Sequence, residues 1–155
     1  MEKKRSIGVT IFAWLIIIVS GLLLLGSFDF KAHTKLFQSF PKNLNICLFA
    51  YGIASLAIGV IAGIGLIRLK EIMRKVIVGI NLLDVLSGIP VLLFSLNDIK
   101  QYAYRAAAET NSQVSIDVLA NIAFYIIICF AIFTIAFSML IIYFFTRPKV
   151  KEQFK

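Results

Sequence analysis

Four apolar stretches, at 7–28, 46–67, 76–96 and 118–145, govern what this chain can become, because each is long enough to cross a bilayer as a helix. At about 1.5 Å per residue even the shortest reaches roughly 31 Å, against a hydrocarbon core of about 30 Å. In lipid a spanning segment must satisfy its own backbone N–H and C=O groups, so helices follow. The expectation is an all-α, four-transmembrane-helix bundle, a single membrane domain over residues 1–155. A mean hydropathy of +0.92 and 60% hydrophobic residues exclude an ordinary soluble domain.

The 16 Lys and Arg against eight Asp and Glu would suit a nucleic-acid binder, but their placement argues against one. Eleven of the basic residues fall before residue 6, between 68 and 75, or after 145. Charges that flank spans in this way anchor them with the positive side inward, so both termini are expected in the cytoplasm. Arg68, Lys70, Arg74 and Lys75 could also meet anionic lipid headgroups. The short turn that carries them makes the second and third spans antiparallel neighbours. Cys47 and Cys129 stand alone in different apolar runs and are expected to be inert buried thiols.

Between the spans lie two longer connections. In residues 29–45, Phe30, Phe37 and Phe40 suggest a segment resting on the bilayer interface, and His33 reads as ordinary surface. In residues 97–117, Ile99, Tyr102, Ala103 and Ala106 share one helical face, which predicts a short interfacial helix at about 98–108. Thr110–Ser115 reads as an exposed break.

Small residues mark where helices should meet. Ser6, Ala13, Ser20 and Ser27 recur every seven positions along the first span. Gly52, Ser55, Gly59 and Gly63 follow at spacings of three and four along the second. Such stripes let backbones approach closely, although glycines can also line a pore. On the fourth span Ala120, Ala123, Ala131, Thr134 and Ser138 are expected to face inward, with Phe130, Phe133, Phe137 and Phe144 outward.

The third span holds Asp84, eight residues past Val76. A bare carboxylate at that depth is costly unless paired, hydrated or protonated. At about 100° per residue, Ile77, Asn81, Asp84, Gly88 and Ser95 form one stripe that should avoid lipid. Pro90 frees the Leu86 carbonyl, which Ser87 or a neighbouring helix could satisfy. Counting equal depths on the other spans brings Trp14, Thr134 and Ser138 to the level of Asp84 and Asn81, so a buried polar cluster is expected there. Two readings stay open: a clamp that fixes helix register, or a proton or cation site.

The turn Gly65-Leu66-Ile67-Arg68-Leu69-Lys70 and the segment Thr146-Arg147-Pro148-Lys149-Val150-Lys151 resemble features of uncharacterised small four-span prokaryotic membrane proteins. That resemblance implies a four-helix membrane fold in a bacterial or archaeal inner membrane and brings no activity with it. The chain departs from small multidrug transporters, whose first span carries an acid, and from quinone-linked four-helix oxidoreductases, which need a cysteine pair. No metal, cofactor or catalytic motif is present. The expected function is therefore a non-enzymatic accessory or assembly subunit, in contact with lipid and with itself or another membrane protein. The alternative is a small oligomeric proton- or cation-coupled transporter or channel using Asp84.

Overall fold

The computed structural model describes residues 6–26, 30–110 and 115–154. Four of its helices are long and apolar enough to cross a membrane: α1 (Ile7–Gly26), α3 (Lys42–Ile67), α4 (Glu71–Glu109) and α5 (Ile116–Thr146). The protein is a multi-pass integral membrane protein. Among the described residues there are also three short elements: α2 (Phe30–Leu36), α6 (Pro148–Lys151) and a 3-10 turn, Glu152–Phe154. Ser27, the last member of the first span's seven-residue series, lies outside the described residues.

The spans form two close pairs, α1 with α3 and α4 with α5, and a less extensive contact between α3 and α4 joins them. Small residues set the first pair. A Cβ added to Gly63 would stand 2.5 Å from Ile17 Cγ1 and 3.2 Å from the Ala13 carbonyl oxygen. At Gly59 it would stand 2.5 Å from Ser20 Oγ. Ala13 and Ser20 are the small residues of α1, so the two stripes meet each other. Gly52 is different: a Cβ there would meet nothing within 4 Å.

The core gathers at one end of the bundle, where α3 turns into α4. Val9, Ala13, Ile16, Ala62, Leu66, Ile77, Ile141 and Phe145 are buried together there. The turn itself is a Schellman motif, with Leu69 N–H donating to Leu66 O and Lys70 N–H donating to Gly65 O. Leu69 occupies its left-handed position at φ 51°. Residues after α5 fold back beneath this core, with Val150 and Phe154 buried in it and Gln153 Oε1 accepting from Ser6 N–H at 3.1 Å. The expected charged tail is thus also a plug.

Several expectations need correction. Arg74 is not available to lipid headgroups: it is buried, and Nη1 donates to the Phe145 carbonyl at 3.1 Å. The last carbonyls of a helix lack intrahelical donors and carry partial negative charge, so a guanidinium is drawn there. Arg68, Lys70 and Lys75 stay exposed, and Lys75 pairs with Glu71 at 3.1 Å. Phe144 faces inward, stacked on Phe12 of α1 at 4.2 Å, because the buried stripe of α5 runs through Ser138, Ile141 and Phe145. Cys47 and Cys129 are exposed on the outer faces of their helices.

The separate interfacial helix at 98–108 is the continuation of the third span. α4 runs unbroken for 39 residues, about 58 Å, well beyond a hydrocarbon core. The polar turn in composition after Leu96 contains no Gly or Pro to end a helix, and Ile99, Ala103 and Ala107 keep one face buried at four-residue spacing. At this far end Asp98, only 4% exposed, accepts from Ser39 N–H at 2.7 Å and from Ser39 Oγ at 2.5 Å. Asn45 Nδ2 donates to the Phe37 and Phe40 carbonyls, which ties the turn between α2 and α3.

Candidate functional site

Between the two helix pairs lies a cavity of about 680 Å³. The stripe of α4 predicted to avoid lipid forms one wall, through Ile77, Asn81, Asp84, Gly88 and Ser95. Thr134 and Ser138 face it from α5, and Gly52, Ser55 and Gly59 from α3. Leu36 and Phe37 close it at the α2 end. The structure therefore brings Asn81, Asp84, Thr134 and Ser138 to one space.

Trp14 does not join them. It is 53% exposed. α1 buries the face of Val9, Ala13 and Ile16, and a residue directly after Ala13 points about 100° away from it. The seam where Gly63 approaches the Ala13 backbone has no room for an indole. The partner of Asp84 is Tyr51, whose hydroxyl donates to Oδ1 at 2.7 Å across the α3–α4 contact. Tyr51 escaped the depth count because α4 begins at Glu71 rather than Val76. Counted from the turn, Asp84 and Tyr51 lie thirteen and sixteen residues away, at nearly matched depth.

Several other polar groups around the cavity bond within their own helices. Asn81 Nδ2 donates to Ile77 O at 2.8 Å, Thr134 Oγ1 to Ala131 O at 2.8 Å, and Ser55 Oγ to Gly52 O at 3.0 Å. Ser95 Oγ donates to Leu92 O at 3.3 Å. Ser87 Oγ donates to Leu83 O at 2.7 Å rather than to the Leu86 carbonyl that Pro90 frees. The Ser55, Ser95 and Thr134 hydroxyls thus spend their hydrogens within their own helices, whereas Asn81 keeps a second N–H and Ser20 and Ser138 also line the cavity. No known family, curated protein or solved structure matches this chain. What the site can do must come from its own chemistry.

A second, smaller cavity of about 350 Å³ lies towards α2, bordered by His33, Phe49, Gly52 and Tyr102. His33 sits between the rings of Phe37 and Phe49, and its Nδ1 is buried without a hydrogen-bond partner. Burial holds this imidazole below its ordinary value of 6.5. Among the described residues no three His, Cys, Asp or Glu come together as a metal site would require.

Proposed function

We propose that the chain is a non-enzymatic accessory subunit of a cell membrane that works by binding, its bundle keeping a seat open within the bilayer for an apolar guest. The observation that carries this is the cavity between the helix pairs. Its volume falls within the roughly 300–1,000 Å³ of small-molecule sites, and its wall is mostly aliphatic with a few placed polar groups. In this reading both termini face the cytoplasm, supported by exposed Arg68, Lys70, Lys75, Arg147, Lys149 and Lys151 at the end with the α3–α4 turn. Those cations also suit anionic headgroups, and outward apolar faces such as that of Phe94 suit lipid, a second copy or a partner helix.

Gly52→Leu tests the seat. Nothing stands within 4 Å of a Cβ at Gly52, so leucine extends into empty space and replaces a weak helix former. The variant should melt at or above the wild-type temperature in detergent, yet lose saturable binding of a neutral lipophilic fluorophore. Unchanged binding in a folded Gly52→Leu protein would defeat this reading.

A second reading, an oligomeric proton- or cation-coupled transporter or channel, is favoured by one observation: Asp84 lines the cavity. Asp84→Asn keeps an acceptor for Tyr51 and removes the charge, so it should fold normally. If Asp84 titrates during transport, flux into proteoliposomes should vanish in this variant alone.

A further inference from the structure

We infer that the guest of the central cavity is a lipophilic monocation, an apolar body carrying one positive charge that settles beside Asp84. This deepens the reading of the cavity as a binding seat and rests on it. Among the described residues that line the space, Asp84 is the one that carries a charged group, with no Lys, Arg or His to balance it. A carboxylate inside the bilayer calls for a counter-charge, and a cation entering lipid gains from finding one. The Tyr51 hydroxyl holds Oδ1 from the α3 side at 2.7 Å, a bond that orients a carboxylate without supplying charge.

The remaining polar lining points the same way. Thr134, Ser55 and Ser95 spend their hydroxyl hydrogens on carbonyls of their own helices, so these hydroxyls can only accept from a guest. An anion would meet those acceptors and a carboxylate, with only uncharged donors on Asn81, Ser20 and Ser138 to set against them, whereas a cation finds an opposite charge. Phe37, Phe130 and Phe137 add aromatic rings to the wall, whose faces attract cations. Entry is from the side. Leu22 of α1 and Phe130 and Phe133 of α5 line the cavity yet are 65%, 53% and 60% exposed, so its rim reaches the lateral surface of the bundle.

Tetraphenylphosphonium and tetraphenylborate share a shape and differ in charge, which makes them suitable probes of the full-length chain in detergent. Equilibrium dialysis should give saturable tetraphenylphosphonium binding, displaced by the neutral fluorophore, and affinity for the borate at least about tenfold lower. Asp84→Asn should weaken phosphonium binding at least about tenfold while leaving the melting temperature unchanged. The cation-to-anion ratio is read on wild type, so it decides even if a variant misfolds. Equal binding of the two ions, or undiminished phosphonium binding in folded Asp84→Asn, overturns the inference. Fluorophore binding without cation preference overturns it and leaves the apolar seat standing; failure of all three probes overturns both.

Discussion

Leu69 adopts a backbone conformation usually left to glycine, and does so with its side chain buried in the core at the turn. The left-handed form costs a non-glycine residue about 1–2 kcal/mol, while a buried leucine contributes more than that. Two substitutions separate the terms. Leu69→Ala loses the side chain and keeps the strain, so it should cost about 2–5 kcal/mol. Leu69→Gly loses the same side chain but relieves the strain, so it should recover roughly 1 kcal/mol of that loss. Melting temperatures should therefore rank wild type above Gly above Ala, which reverses the usual order of alanine and glycine. At this scale the sequence was legible where side-chain size alone decided the outcome, as where Gly59 and Gly63 face Ser20, Ile17 and Ala13. It misled at Trp14, and it missed Tyr51 because the depth count began at Val76 rather than at Glu71. The depth of a residue can be counted along a chain, but which way a ring points depends on which stripe of its helix finds a partner.

The seating of α2 involves a group that titrates near neutral pH. His33 lies among aromatic rings with its protonation disfavoured by burial. Between its ordinary value of 6.5 and its lowered folded value, the unfolded state binds more protons, so stability falls as pH falls through that window. A thiol placed at Leu36, which faces the cavity, should therefore be modified faster at pH 5 than at pH 7 by a reagent whose rate is corrected for thiol ionisation. His33→Phe should remove the difference; a difference that survives would assign the effect elsewhere. Ser39→Ala would loosen the same region at either pH, since it removes the hydroxyl donor to buried Asp98 and leaves only the backbone N–H. The extent of α4 was the least legible element. The helical face at about 98–108 was legible, but the polar residues around it made it read as a separate interfacial helix, whereas without a Gly or Pro to break it the period runs on from the span.

For the whole molecule, the testable quantity is which way it faces. Single cysteines at Lys70, Lys151, Lys35 and Glu109, in a background without Cys47 and Cys129, place exposed thiols at both ends of the bundle. An impermeant reagent added to intact cells should label only the thiols at Lys35 and Glu109. Labelling at Lys70 instead would invert the orientation. The number of spans was plain from apolar length, whereas the hollow between their pairs was not, because no single stretch encodes a gap. The plug beneath the core has a consequence for synthesis. Val9 and Phe154 share one core although nearly the whole chain separates them. At about 5–20 residues per second, the ribosome delivers Phe154 roughly 7–30 s after Val9. Throughout that interval the inward face of α1 waits for its final neighbours. Lipid, which tolerates bare valine and isoleucine as water does not, is the chaperone that makes such a delay harmless.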